Sequence, residues 1–500
     1  MLRILGSPGN LCDGISRREM IQVGGLGTMS LGLPELFRLR ALQAAESVPH
    51  GSFGKAKRII LLYLYGAAAQ HELYDLKPNA PAEIRGAFKP ISTSVPGVQI
   101  CEHLPKLAKI ADRLCFIRSM THPYNIHSAA YTLTGVDKVD IPMELGPYDT
   151  RHWPFFGSVL DYLEQQRHPG APPPEVPRNI ALPFLFSSKC PQFDRGGPFG
   201  GFLGRAYNPV WTEFEGKSVK SVERWRGGDD KKVDDPFLGI SPDDQLTVSK
   251  AAQLQQGITV DRLNRRRTLL DQIEQGRRAF DKTLSTQSLD RFQQMAYSLI
   301  TSRKIRDALD LKSVPMAKRD EYGMTLFGQS TLAGLRLLEA GSTLVSVFWD
   351  EFDTANSAWD THYNHYERLK DELLPGLDNA LSALMLDLEE KGMLDDTLVM
   401  CLTEHGRTPK IHPKLRGVGR EHWSNVYGNL MAGAGIADGI VVGSSDRNGA
   451  FVKDDPVSPK DILATMYHLM GIDHHTILPD HLGRPVPLVS GGNVLTQMLG

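Results

Sequence analysis

Short, mostly apolar runs alternate along the chain with longer stretches of helical periodicity. The first run is Ile59-Ile-Leu-Leu-Tyr-Leu-Tyr65, and three more follow at Leu114–Met120, Thr343–Trp349 and Thr397–Thr403. Runs of this length without polar alternation predict strands buried on both faces, as parallel sheets contain. Between the third and fourth runs, Leu377, Leu381, Leu384 and Leu388 recur at intervals of three and four, with Pro375 just upstream as a helix start. Strands alternating with helices predict a mostly parallel α/β sheet. Residues from about 165 to 240 are rich in proline, glycine and charge, which predicts loops and irregular crossings. The polar, helical pattern from about 245 to 312 predicts a helical insertion, and its run Asp261–Arg267 reads as a solvated helix face.

The first 45 residues stand apart. Arg17-Arg18 precedes a weakly apolar, glycine-rich stretch from Met20 to Leu33, with small residues near Ala41–Ala45. That stretch is too short for a membrane-spanning helix, which needs about 20 residues. Its layout is that of a secretory signal, and the arginine pair makes it similar to a twin-arginine signal. The expectation is export by the twin-arginine machinery to the periplasm, the cell envelope or beyond. No later apolar run is long enough to span a bilayer, so no integral span is expected. Residues 46–500 then form the α/β unit.

Composition narrows the classes. Hydrophobic residues are 41% and charged residues 23%, ordinary globular values that exclude a disordered or collagen-like chain. The formal charge is 56 − 58 = −2, so no basic field favours nucleic acid. Five cysteines in 500 residues are too few for a disulfide framework. Cys101, Cys115, Cys190 and Cys401 are expected as buried or free thiols.

Ligands of open α/β sheets sit at the carboxyl ends of the strands, so the residues after each apolar run matter most. They read Gln70-His-Glu-Leu-Tyr-Asp75, Thr121-His-Pro-Tyr-Asn-Ile-His-Ser128, Trp359-Asp-Thr-His-Tyr-Asn-His365 and Glu404-His-Gly-Arg-Thr-Pro409, with His422 after the last. Seven of the 16 histidines fall in these segments, so they concentrate where a site would form. Buried carboxylates and imidazoles are costly unless paired, hydrogen-bonded or metal-bound. Mixed imidazole and carboxylate donors suit zinc, manganese or iron better than calcium or magnesium. One or two such ions would polarise a phosphate or sulfate ester.

On these residues the chain resembles a family known only as a domain of unknown function, number 1501, exported by the twin-arginine route and sulfatase-like. The resemblance runs from about residue 57 to 489. It is carried by Tyr74–Pro78, Ala82–Pro90, Leu133–Gly135, Phe327–Ser330, Trp359–His362, Glu404–Pro409, Glu421–Trp423 and Val457–Gly471. The family in turn looks like a branch of the alkaline phosphatase and sulfatase superfamily. This resemblance implies an alkaline-phosphatase-like three-layer sandwich and a metal held by Glu72, Asp360, His362, Glu404, His405 and His422. Asp75 is an alternative to Glu72, His365 to His362, and Asp350 or Asp353 to Asp360.

The sulfatase interval counted back from Gly135 lands on Asn125, which cannot attack phosphorus or sulfur, and no Cys-x-Pro-x-Arg signature is present. Ser128 or Thr121 is then the candidate nucleophile, unless a hydroxide on the metal attacks directly. Ser128 is equally placed to cap a helix, and His127 to support a ligand from behind. Arg407 would clamp an anionic oxygen or pair with a nearby acid. Lys77, His468 and the His474-His475 pair read as structural or solvated, Trp359 and Trp423 as packing walls. The resulting expectation is an exported metal-dependent hydrolase of an anionic ester, including sulfated glycans. The competing expectation is a metal- or glycan-binding envelope protein that keeps the fold without catalysis.

Overall fold

The computed structural model describes residues 51–136, 144, 146–169, 171, 174–190, 192–226, 229–248, 295, 298–299 and 302–500. The signal region and most of the expected helical insertion lie outside the described residues. Within that span, Gln245–Val248 is a strand and not a helix, whereas Arg303–Leu309 is a helix as expected.

A nine-stranded sheet forms the centre. In chain order its strands are β1 (Arg58–Leu64), β2 (Cys115–Met120), β3 (Asn179–Leu182), β4 (Val210–Glu215), β5 (Gln245–Val248), β6 (Leu344–Trp349), β7 (Thr397–Leu402), β8 (Tyr427–Ala432) and β9 (Ile440–Val442). Across the sheet the order is β9-β2-β8-β7-β1-β6-β3-β4-β5. Only β8 and β5 run against the rest, because each pairs antiparallel with its neighbours while every other pair is parallel. All four apolar runs of the sequence are strands of this sheet. β6 and β7 are buried at every position.

Helices cover both faces, so the chain folds as the expected three-layer α/β sandwich with a mostly parallel sheet. They are α1 (Pro105–Lys109), α2 (Ala129–Thr134), α3 (Phe156–Arg167), α4 (Met316–Tyr322), α5 (Leu326–Glu339), α6 (Leu374–Glu390) and α7 (Pro459–Leu469). The pleat of β1 divides the core. Ile60, Leu62 and Leu64 pack with Leu107, Tyr322, Leu332 and Leu381 on one face. Ile59, Leu61 and Tyr63 pack with Leu133, Val159 and Leu463 on the other. The leucine ladder of α6 lies on the first face; a helical turn at His365–Arg368 and a π-helical turn at Leu369–Leu373 run straight into α6, so Pro375 lies inside a continuous helical run and is not its start.

The loop-rich reading of residues 165–240 is corrected by three features: β3, β4, and a hairpin of Ser221–Arg226 with Asp229–Asp234. These strands draw their stability from ladder pairing rather than from a long apolar run. Cys101, Cys115, Cys190 and Cys401 are free and buried, and burial pushes each thiol up to about 12, so they behave as apolar packing residues. Among the described residues no helix is long and apolar enough to cross a membrane.

Candidate metal centre

The carboxyl ends of β1, β2, β6 and β7 meet at one rim of the sheet. Gly66, just past β1, makes the closest approach. Its φ is +109°, and a Cβ there would lie 2.4 Å from the Asp360 nitrogen, so only glycine fits. Its N–H donates to Glu404 Oε1 at 2.8 Å. The turn after β1 therefore fixes the positions of the acids that follow β6 and β7.

Four imidazoles and Asp360 crowd above this turn. His127 comes from the loop after β2, Asp360 and His362 from the loop after β6, His405 from the end of β7. His422 lies on a two-residue strand, His422–Trp423, that pairs with Gly406–Arg407. His127 Nδ1 donates to Glu404 Oε1 at 2.9 Å, and its Nε2 faces Asp360 Oδ2 at 3.2 Å. His362 Nε2 and His422 Nε2 lie 3.0 and 3.3 Å from the same Asp360 oxygen and 3.1 Å from each other. The His405 ring is 4.7 Å from His422 and 5.3 Å from His127, centroid to centroid.

The rear nitrogens of three imidazoles are tied to acceptors. His127 Nδ1 has Glu404, His405 Nδ1 donates to the Gly406 carbonyl at 2.9 Å, and His362 Nδ1 donates to Glu421 Oε2 at 2.6 Å. When the Nδ1 of a neutral imidazole carries the proton, Nε2 carries the lone pair. His405 Nε2 is buried with no hydrogen-bond partner among the described residues. Proteins orient metal-binding histidines from behind in this way. Two trios place one donor atom per residue within 4.8 Å of one another: Asp360, His362 and His422, and His127, His405 and His422. The donor set thus fits a divalent metal.

Charge supports the fit for His405, His422 and Asp360, whereas His127 is held protonated by its two acids. Burial, and then the neighbouring His422, His127 and Arg407, hold His405 well below the usual imidazole range. Burial lowers His422 as well. Both are neutral near pH 7, so no proton competes for their lone pairs. Asp360 is held well below the carboxylate range because Arg407 and His127 outweigh its burial. His127 is pushed up to about 10, since Asp360 and Glu404 outweigh the effect of burying it.

Not every expected residue joins this cluster. Glu72 Oε1 accepts from Arg420 Nε at 3.1 Å and Nη2 at 2.5 Å, and its Oε2 faces His365 Nε2 at 3.2 Å. It belongs to a separate buried ion pair, and His365 belongs with it. Asp75 is held by Lys77 and Ser445, and Asp353 by Lys231. Asp350 takes the N–H groups of Ser187 and Glu351 at 2.6 and 2.7 Å. Arg407 is corrected as an anion clamp. Fully buried, it donates to Asp360 Oδ1 and to the carbonyls of Gly66, Ala67, Trp359 and Arg420. Its role is to neutralise Asp360 and pin three loops together.

Ser128 sits at the N-cap of α2, but its side chain does not cap the helix, and its hydroxyl is buried without a partner. Trp359 is a packing wall, edge-on to Trp349 at 5.6 Å. His127, expected only in support, stands at the centre. Its burial between two acids depends on a loop path that spacing does not reveal.

The family described as "Protein of unknown function (DUF1501)" matches residues 56–499. The chain belongs to this family. No curated protein matches it. Among solved structures, Ps i-CgsB in complex with k-i-k-neocarrahexaose is 10% identical with a TM-score of 0.38, over 84% of this chain and 72% of that one. PsFucS1 sulfatase from Pseudoalteromonas sp. is 12% identical with a TM-score of 0.37, over 91% and 75%. At these TM-scores neither likeness assigns an activity to this family member.

Proposed function

We propose that the protein is a metal-dependent hydrolase of a sulfate or phosphate ester, exported by the twin-arginine route. The observation that carries this reading is the convergence of Asp360, His362, His405 and His422, with His127, on one rim of the sheet, where His405 Nε2 has no partner. Asp360, His362 and His422 would hold one ion; His127 and His405 would complete it or share a second. Zinc, manganese or iron suits these donors. A bound divalent metal supplies Lewis-acid polarisation of an anionic oxygen.

The chain's own residues account for the rest. Gly406 O and Glu421 hold the His405 and His362 rings in the tautomer that leaves Nε2 bare. Arg407 keeps Asp360 ionised. Ser128, next to His127 in the chain, is the candidate nucleophile, and its hydroxyl is not engaged elsewhere. Among the described residues that same hydroxyl has no base within hydrogen-bond reach, which favours a second reading: a metal- or glycan-binding envelope protein without turnover.

Assays with 4-nitrophenyl sulfate, 4-nitrophenyl phosphate and bis(4-nitrophenyl) phosphate separate the two. Hydrolysis of one of them, lost in His422→Ala and in metal-stripped protein, supports the hydrolase. Retained turnover in Ser128→Ala would remove the serine from the mechanism. Wild-type protein that is loaded with metal and inert on all three supports the binding reading.

A further inference from the structure

One strand over from the imidazole cluster lies a second set of buried polar groups that the proposed chemistry does not use. Tyr65 directly follows β1, Glu351 follows β6, and Arg195 lies in the loop after β3, so three adjacent strand ends contribute. All three side chains are more than nine-tenths buried, with residue exposures of 0% or 1% for Tyr65 and Glu351 and 7% for Arg195. Arg195 Nε and Glu351 Oε2 face each other at 3.8 Å, too far for a hydrogen bond. Among the described residues, each of those two atoms, and the Tyr65 hydroxyl, has no hydrogen-bond partner.

Such a set is expensive if nothing fills it, because buried charged groups need hydrogen bonds as well as an opposite charge. Several groups around it are paired, although Gln192 Nε2 and Thr354 Oγ1 also lack a hydrogen-bond partner among the described residues. Glu351 Oε1 accepts from Asn356 N–H at 2.7 Å, the Arg195 N–H donates to Ser187 Oγ at 3.2 Å, and the guanidinium lies 4.4 Å over the Phe193 ring. Phe193 also lines a cleft of about 480 Å³ with Tyr148, Gln192 and Asp194. The Tyr65 ring is 5.5 Å from that of His127, so the set adjoins the metal centre.

The missing partner can be named by its chemistry. A carboxylate only accepts and a guanidinium only donates, so a group between them must donate to one and accept from the other. A hydroxyl does both, and the Tyr65 hydroxyl offers a third contact of either sense. We propose that Tyr65, Arg195 and Glu351 form a subsite for a polyhydroxylated, sugar-like part of a ligand whose anionic group lies at the imidazole cluster. The subsite deepens the hydrolase reading and rests on it for the anionic end alone.

Calorimetric titration of the full-length protein with the 6-sulfates and 6-phosphates of galactose and glucose tests this, with inorganic sulfate and phosphate as references. At least one sugar ester should bind about tenfold or more tightly than its inorganic anion. Tyr65→Phe, which removes a single hydroxyl and keeps the ring, should cut that preference severalfold, and Glu351→Gln should abolish it. Metal content and affinity for the inorganic anion should stay as in wild type. Equal affinity for sugar ester and inorganic anion, or variants that weaken both alike, would overturn the subsite and leave water as its filler. Wild-type protein that takes up no metal would instead overturn the hydrolase reading. The subsite is then judged on methyl galactoside and methyl glucoside, and stands only if one binds and Tyr65→Phe weakens it.

Discussion

Two buried groups of acids and imidazoles lie at the same rim of the sheet, and they are built to opposite ends. Around Glu72, one carboxylate meets one guanidinium, Arg420, with His365 at its other oxygen. Each charge has its counter-charge inside the protein. Around Asp360, four imidazoles share the neighbourhood of two acids, and two ring nitrogens point at each other across 3.1 Å. There the lone pairs outnumber the protons that could satisfy them. Residue type alone therefore does not mark a metal site. The mark is a surplus of buried donor atoms after all internal pairs are made.

The contrast can be broken by substitution. The largest effect should come from His422→Ala, which removes the donor common to both trios. Metal affinity should fall by more than the roughly 10–100-fold that loss of an outer partner costs, read by equilibrium dialysis, with the fold kept. Glu72→Gln should do the reverse. It leaves Arg420 buried and unpaired, which costs about 3–5 kcal/mol of stability in denaturant unfolding, while metal stoichiometry is unchanged. Glu421→Gln should weaken metal binding by about 10–100-fold through misorientation of His362, with little change in stability because Glu421 is only half-buried and its pair with Lys414 lies at the rim. Gly66→Ala should cost at least about 1–3 kcal/mol, since the added carbon meets the Asp360 backbone at a strained φ.

The smallest effect concerns acid. Burial raises Glu72, but Arg420 and His365 outweigh it and bring the carboxyl down to about 2, below its usual value of 4.5. A carboxyl lowered on folding contributes stability that is present above pH 4.5 and is lost as pH falls toward 2. The melting temperature of wild type should therefore drop more steeply between pH 5 and 2 than that of Glu72→Gln.

The sheet's centre was legible because β1, β6 and β7 are buried on both faces and so are almost wholly apolar. Strands toward one side of the sheet were not, because a strand such as Val210–Glu215, with Thr212, Glu213 and Glu215 in it, is defined by its two partners and not by its own residues. Asp360, His362, Glu404, His405 and His422 were legible as chemistry following apolar runs, and four of these five supply donors to the two trios. Glu404 instead orients His127 and the Gly66 turn. Glu72 misled because it too follows a strand; Arg420, which pairs with it, lies 348 residues away in the chain. His127 was underrated for a related reason: its neighbours Asp360 and Glu404 reach it only through the crossovers of the sheet.

Elemental analysis of the purified protein, set beside His422→Ala and Glu72→Gln, bears most directly on the site. Wild type and Glu72→Gln should retain zinc, manganese or iron after dialysis, in equal amounts, while His422→Ala retains almost none. A wild-type protein that binds none of these metals at micromolar concentration, or a His422→Ala protein that holds as much as wild type, would contradict the metal centre.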